Sequence, residues 1–127
     1  MKTPRSSARK VNVAVVGLGF MGVTHLKSYQ KIKSARIVAV CDSARTPVNG
    51  IVPGVSGNLS GADALDLGRK LRVYRQLDEL LADPEVDLVD LCVPTPLHVP
   101  LAVAALKAGK HVVCEKPLAR TPAQARL

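Results

Sequence analysis

The chain has 127 residues, enough for one domain with a core, and its 47% hydrophobic content excludes a wholly disordered protein. Aromatic residues make up only 2%, which excludes a base-stacking platform for single-stranded nucleic acid. Half of the net charge of +8 lies in residues 1–10, which contain no acid and four bases: Lys2, Arg5, Arg9 and Lys10. We therefore predict a basic disordered tail over residues 1–10 and a domain over residues 11–127, and expect no nucleic-acid partner.

The domain is predicted to open with a strand, a helix and a second strand. The continuous apolar run over residues 11–16 is typical of a strand that is covered on both faces, as in a parallel sheet. Residues 21–33 carry apolar side chains at helical spacing, and residues 36–41 form a second apolar run. These segments predict a β–α–β unit with parallel strands.

Strands and helices continue to alternate after a long predicted loop over residues 42–59. The sequence predicts a short helix over residues 63–70, a brief strand over 72–74 and a helix over 77–82. Strands are predicted over 87–93 and 110–114, with a turn at 94–97 and a helix over 99–108 between them. A last helix is expected to begin at Thr121 and Pro122. This alternation predicts a doubly wound parallel α/β sheet.

Between the first strand and the first helix lies a G-x-G-x-x-G motif: Gly17, Leu18, Gly19, Phe20, Met21 and Gly22. In this place the glycines have separate physical roles. Gly17 would permit a tight turn, Gly19 would let a pyrophosphate approach the backbone, and Gly22 would let the helix pack closely. The helix N-terminus would then offer N–H groups and partial positive charge to the phosphates of a dinucleotide.

An acidic residue, Asp42, ends the second predicted strand 20 residues after Gly22. A carboxylate at this position can accept hydrogen bonds from the hydroxyl groups of an adenosine ribose, and it would repel a 2′-phosphate. The predicted cofactor is therefore NAD in preference to NADP, although Arg45 lies close enough to soften that repulsion.

Two further segments follow predicted strands, residues 93–98 and residues 114–118. In an open α/β sheet ligands bind outside the carboxyl ends of the strands, so both segments are expected at the same crevice. Lys116 would place an ammonium there, where it could bind a substrate hydroxyl or stabilise developing negative charge. The Lys116–Pro117 bond is a candidate cis peptide.

At these residues the sequence resembles the glucose–fructose oxidoreductase / inositol dehydrogenase (Gfo/Idh/MocA) family. The run CVPTPLHVPLAVAALKAGKHVVCEKPLA resembles its fourth- and fifth-strand region, and VAVVGLGFMGVTHLKSY resembles its opening unit. The resemblance covers residues 11–42 and 72–127, and the EKP segment is its most specific part. It implies a Rossmann-type domain of an NAD(P)-dependent oxidoreductase of sugars or cyclitols, a domain that the family pairs with a second, substrate-binding domain.

Position by position, the resemblance implies phosphate contacts at residues 18–21 and ribose recognition by Asp42. It implies that the cofactor cleft is lined by Val93, Pro94, Thr95 and His98. It places Glu115, Lys116 and Pro117 near the nicotinamide, with Lys116 as the catalytic residue that contacts the substrate.

The sequence departs from the family in three ways. Val93 stands where the family often has Thr, the segment 43–71 is longer and richer in Gly and Pro, and the chain stops where the second domain should begin. We therefore expect a single domain, incomplete at its C-terminus, that binds a dinucleotide but acts on a sugar-like substrate only together with a second domain. A stand-alone dinucleotide-binding sensor or regulatory module, or an inactive remnant, is the alternative.

The remaining features favour structural roles. The three cysteines, Cys41, Cys92 and Cys114, match no metal or disulfide spacing and fit reduced thiols in the cytoplasm, so no metal site is predicted. His25, on a helix face, and His111, in a strand, are interpreted as structural. No membrane span is expected, and an exposed sheet edge is expected to favour self-association.

Overall fold

The structure, a computed structural model, describes residues 9–54 and 64–127. In chain order its elements are β1 (Val11–Val16), α1 (Phe20–Gln30), β2 (Ala35–Cys41), β3 (Ile51–Val52), β4 (Leu65–Asp66), β5 (Arg72–Tyr74), α2 (Leu77–Leu81), β6 (Leu88–Leu91), α3 (His98–Lys107), β7 (His111–Cys114) and α4 (Pro122–Ala125). A 3-10 turn at Thr95–Leu97 precedes α3.

The main sheet has five parallel strands in the order β5-β2-β1-β6-β7. The chain moves outward from β1 through β2 to β5 and then returns to the other side of β1 at β6. The strand order thus reverses between β1 and β6. In open α/β sheets ligands bind at such a switch point, outside the carboxyl ends of the strands.

Both faces of the sheet are covered, which confirms the predicted doubly wound α/β class. Alternate residues of β1 point to opposite faces, so Val13 and Val15 pack with Leu26 of α1, all at most 1% exposed. Ala14 and Val16 face the opposite cluster, which includes Leu80 of α2 and residues of α3. Each fully buried Val or Leu side chain contributes about 1.5–3 kcal/mol, so this aliphatic core stabilises the fold without aromatic residues.

The segment between β2 and β5 differs from its prediction. The helix predicted over residues 63–70 is wrong for the described part, because β4 occupies residues 65–66. Within the predicted loop over residues 42–59, β3 pairs with β4 in an antiparallel manner, and residues 55–63 lie outside the described residues. The physical reason is burial: Val52 of β3 is fully buried in the core cluster that also contains Leu26.

The other predicted elements are present, with small changes at their ends. Helix α1 ends at Gln30 rather than at residue 33, because Lys31 and Ile32 donate backbone hydrogen bonds in tight turns to Ser28 and Tyr29. At the start of α4 the hydroxyl of Thr121 accepts a hydrogen bond from the backbone of Gln124, as an N-cap does.

The predicted tail is described only at its end, because residues 1–8 lie outside the described residues. The Arg9 guanidinium lies 3.0 Å from a carboxylate oxygen of Asp87, and its side chain is 76% exposed. Within residues 9–54 and 64–127, no helix is both long enough and apolar enough to cross a membrane.

Candidate functional site

The loop between β1 and α1 has glycine at two positions where there is no room for a side chain. Gly17 has a φ of +90°, and a Cβ there would overlap the carbonyl oxygen of Cys92. A Cβ on Gly22 would overlap the carbonyl oxygen of Gly17. Gly17 therefore makes the tight turn, as predicted, and Gly22 lets the first turn of α1 lie against the loop.

The N-terminus of α1 is open at the same point. Gly19 is its N-cap, no side chain within the described residues caps the helix, and the first turn contains no acid. A Cβ on Gly19 would have no atom within 4 Å. The first N–H groups of a helix have no intrahelical partner, so this uncapped terminus can accept an anionic group such as a phosphate.

The Asp42 carboxylate, at the end of β2, binds the glycine loop. One oxygen accepts a hydrogen bond from the backbone N–H of Leu18 at 2.8 Å, and the other accepts from Ala44 and Arg45 at 2.9 and 2.8 Å. Burial alone would raise the pKa of Asp42, but these backbone hydrogen bonds outweigh it, and the pKa is lowered. The carboxylate therefore stays charged beside the loop.

These groups surround one cavity of about 490 Å³ at the carboxyl ends of the central strands. Of the residues predicted to bind a cofactor, five line it: Gly17, Gly19, Asp42, Val93 and Pro94. The cavity is also lined by Arg45 and Arg75. Arg75 was not predicted, although its place directly after β5, at the same sheet edge, is a signal that could have identified it.

The other predicted cofactor contacts lie around this cavity rather than on its wall. Leu18 is 1% exposed and is part of the core, whereas Met21 is 40% exposed on the first turn of α1. Phe20 begins α1, and Thr95 begins the 3-10 turn after β6. Their predicted contacts with a dinucleotide remain predictions; the side chain of Leu18 is buried and its backbone N–H already donates to Asp42.

The EKP segment follows β7 directly, at the sheet edge next to β6. Its Lys116–Pro117 bond is cis. The Lys116 side chain is exposed. The catalytic role predicted for Lys116 requires that a substrate can reach its ammonium, and the side chain is accessible to solvent.

His98 lies beneath the EKP segment, residues 115–117, and does not line the cavity at the carboxyl ends of the central strands. It is 1% exposed, with Nδ1 2.6 Å from the carbonyl oxygen of Pro117 and Nε2 2.8 Å from the carbonyl oxygen of Val93. Both ring nitrogens are thus engaged by the backbone. His98 joins the ends of the two segments that were predicted to share the crevice.

A half-buried polar cluster around the fully buried Asp90 was not predicted as a unit. His25 on α1 contacts two carboxylates, with Nδ1 2.6 Å from Asp90 and Nε2 2.6 Å from Glu115. Tyr29 donates its hydroxyl to Asp90 at 2.8 Å, and Cys92 lies 3.3 Å from His25 through its sulfur. Two signals could have indicated it: an acid inside an apolar strand, and the four-residue spacing of His25 and Tyr29 on one helix face.

Comparison with known proteins agrees with this geometry. The model of an oxidoreductase family described as having an NAD-binding Rossmann fold matches residues 11–127. The chain is 33% identical over 113 residues to a levoglucosan dehydrogenase of Pseudarthrobacter phenanthrenivorans, covering 89% of this chain and 28% of that enzyme. It is 36% identical over 116 residues to an inositol 2-dehydrogenase/D-chiro-inositol 3-dehydrogenase of Lactiplantibacillus plantarum, covering 90% and 29%.

Among solved structures, GenD2 from gentamicin A biosynthesis, in complex with NAD, superposes with a TM-score of 0.71 at 29% identity. The match covers 99% of this chain and 33% of GenD2. The chain thus spans less than a third of the length of the two curated relatives. With the family model matched from β1 to the last residue, the chain belongs to the Gfo/Idh/MocA oxidoreductase family and is the NAD-binding Rossmann-fold domain of that family.

Proposed function

We propose that this domain binds NAD(H) at the carboxyl ends of β1, β2 and β6, as part of an enzyme that interconverts a hydroxyl and a carbonyl group of a sugar or cyclitol by hydride transfer. The observation that carries the proposal is the open, uncapped α1 terminus beside the charged Asp42, within one cavity of about 490 Å³. The two curated relatives are named as dehydrogenases of levoglucosan and of inositols, which supports the substrate class.

The residues present fit a dinucleotide. The N–H groups of Gly19, Phe20 and Met21 would bind the pyrophosphate, since a helix begins there without a cap. Asp42 has about one acceptor site left beside its three backbone hydrogen bonds, and it would use that site for the adenosine ribose. Val93 and Pro94, with Thr95 after them, would flank the cofactor between β1 and β6.

When bound, the nicotinamide ring supplies a hydride acceptor or donor. The task of this chain is then to hold and polarise the substrate beside it. Lys116, exposed after β7, would donate a hydrogen bond from its ammonium to the substrate oxygen, which gains negative charge as its proton passes to a base that the second domain would have to supply. Glu115 and Pro117 flank this lysine and would set its position. A second domain would have to supply the rest of the substrate site.

NAD is the proposed cofactor in preference to NADP. The charge of Asp42 would repel a 2′-phosphate, but Arg45 and Arg75 line the same cavity and would partly offset that repulsion. We expect a preference for NADH that depends on Asp42. We also propose a cytoplasmic location, where the free thiols of Cys41, Cys92 and Cys114 stay reduced.

The test is a fluorescence titration of the chain with NADH and with NADPH, using the variants Asp42→Ala and Asp66→Ala. Asp66 is a matched control, because it also accepts a backbone N–H, that of Gly68 at 2.9 Å, but does not line the cavity. We expect Asp42→Ala to weaken NADH binding by roughly tenfold, the loss of one hydrogen bond to a charged group, and to weaken NADPH binding less. Folded protein that binds neither dinucleotide at millimolar concentration would contradict the proposal.

A further inference from the structure

The acid–base cluster beneath the crevice connects α1 to the EKP segment through one side chain. The imidazole of His25 lies between two carboxylates, with 2.6 Å from Nδ1 to Asp90 and 2.6 Å from Nε2 to Glu115. Asp90 is completely buried in β6, and the Glu115 side chain is 25% exposed after β7. Both ring nitrogens can donate only when the imidazole carries both protons, as in imidazolium.

The groups around His25 favour that cation. Besides the two carboxylates, it faces Tyr29 of its own helix and Cys92 after β6. Burial, together with Asp90, raises the pKa values of Tyr29 and Cys92 well above their usual range, so both remain neutral. Burial lowers the pKa of His25, but the hydrogen bonds and charges of Asp90 and Glu115 outweigh it and raise that pKa.

A metal ion does not explain the cluster as well as a proton does. The donor atoms of His25, Asp90 and Cys92 lie within 4.8 Å of one another, as the ligands of one ion would. However, nitrogen and oxygen ligands about 2 Å from a tetrahedral zinc lie roughly 3.3 Å apart. The 2.6 Å between Nδ1 of His25 and the carboxylate of Asp90 is instead close to the length of a direct charge-assisted hydrogen bond.

The cluster bears on the proposed catalytic residue because Glu115 directly precedes Lys116 in the chain. On the far side of Lys116 the carbonyl of Pro117 lies 2.6 Å from Nδ1 of His98. The backbone N–H of Glu115 donates to the carbonyl of Leu91 at 3.1 Å. Residues on both sides of Lys116 are therefore held, while Lys116 itself is exposed. The carboxylate of Glu115 is held by His25 alone among the described residues.

We propose that His25 is a positioning residue: as an imidazolium bridging Asp90 and Glu115, it holds the 115–117 segment in the place where that segment meets the nicotinamide end of the cofactor. This inference rests on the proposed function. Loss of the bridge would free the carboxylate of Glu115 and leave buried Asp90 without its cation, so the segment would lose one of its anchors while the backbone contacts of Glu115 and Pro117 remain. The glycine loop and Asp42, which would bind the other end of the cofactor, are held by contacts that do not involve His25.

Two ligands separate this role from a general loss of structure. NADH and ADP-ribose share the pyrophosphate and the adenosine ribose, but ADP-ribose lacks the nicotinamide. The variant His25→Gln removes the charge, and His111→Gln is the matched control at an exposed histidine of β7 outside the cluster. We expect His25→Gln to weaken NADH binding roughly tenfold, the equivalent of one charge-assisted hydrogen bond, and to leave ADP-ribose binding within about twofold.

The pH dependence gives an independent readout. NADH affinity of the wild-type chain should fall as the pH rises through the raised pKa of His25, above the ordinary value of about 6.5, while ADP-ribose affinity stays level. In His25→Gln this selective fall should vanish. If that variant does not fold, Glu115→Gln, on the partly exposed segment, should produce the same selective loss of NADH affinity. It should also lower the pKa of His25 measured by NMR of the imidazole protons.

The outcomes are distinct. Equal losses for NADH and ADP-ribose, or no loss for either, would overturn the positioning role while leaving dinucleotide binding intact. A His25 that titrates at or below about 6.5 in the ligand-free chain would overturn it as well. A wild-type chain that binds neither ligand would overturn the proposed function and, with it, this inference.

Discussion

At the scale of single residues, Asp42 stabilises the fold as well as facing the cavity. Its carboxylate accepts three backbone N–H groups, one of which, from Leu18, belongs to the glycine loop. The same hydrogen bonds that keep the carboxylate charged therefore hold the loop in the shape in which its helix terminus is open. A ligand that bound Asp42 would meet a loop that is already positioned, which lowers the entropy lost on binding.

Because the pKa of Asp42 is lowered in the folded chain, its contribution to stability depends on pH. The contribution is present above the ordinary carboxyl pKa of about 3.9 and is lost as the pH falls through the lower, folded value. The variant Asp42→Asn does not titrate there. We expect the difference in unfolding free energy between wild type and variant, measured in urea, to shrink as the pH falls from 6 towards 3. A difference that stays constant over this range would contradict the prediction.

Substitutions at two glycines of the loop test its packing and its ligand binding separately. Gly22→Ala should destabilise the chain by about 1–3 kcal/mol, because its Cβ would overlap the Gly17 carbonyl and force the loop to move. Gly19→Ala places its Cβ in open space, so we expect nearly unchanged stability but weaker NADH binding. Urea denaturation and an NADH titration of both variants check this. Equal stability of the two variants would show that α1 does not pack as closely as described.

At the scale of elements, the alternation of strands and helices could be predicted because buried parallel strands are marked by continuous apolar runs. The run over residues 11–16 predicts β1 with its observed bounds. The pair β3 and β4 could not be predicted in this way, since two-residue strands have no periodicity. Their position depends on the burial of Val52 in a core built from distant parts of the chain.

The candidate site was likewise predictable where its signal is local in the sequence, and not where it depends on tertiary contacts. The glycine motif and Asp42 carry their signal in local spacing, and the structure places Gly17, Gly19 and Asp42 around one cavity. The bridge through His25, in contrast, joins residues that are distant in the sequence. His25 lies 65 positions before Asp90 and further still before Glu115. Taken alone, His25 was interpreted as structural and Glu115 as a residue near the nicotinamide, and only the tertiary fold brings their charges together.

The β3–β4 pair gives an element-scale test of the core. Val52 is fully buried, whereas Val48, a few residues earlier, is 70% exposed. Val52→Ala should lower the unfolding free energy by about 2 kcal/mol through lost burial and the cavity left behind. Val48→Ala is the matched control and should change it by less than about 0.5 kcal/mol. Equal effects in chemical denaturation would show that β3 does not pack into the core.

At the scale of the whole molecule, the described sheet ends at β7, a strand paired only with β6 among the described residues. An edge strand presents unpaired backbone groups, and Val113 on this strand is 39% exposed. We expect the average mass measured by light scattering to rise with the concentration of the chain. Val113→Lys should reduce that rise, because a lysine on an edge strand disfavours strand addition. A mass that stays monomeric at high concentration would contradict the prediction.

The central claim, that a nicotinamide dinucleotide binds where the strand order reverses, is tested most directly by amide chemical shifts. The ¹⁵N-labelled chain would be titrated with NADH, and each backbone N–H followed by NMR. We predict the largest shifts at Gly19, Phe20 and Met21 and around Asp42, with little change in β3 and β4, which lie away from the cavity. Shifts absent at millimolar NADH, or spread evenly over the surface, would contradict the claim.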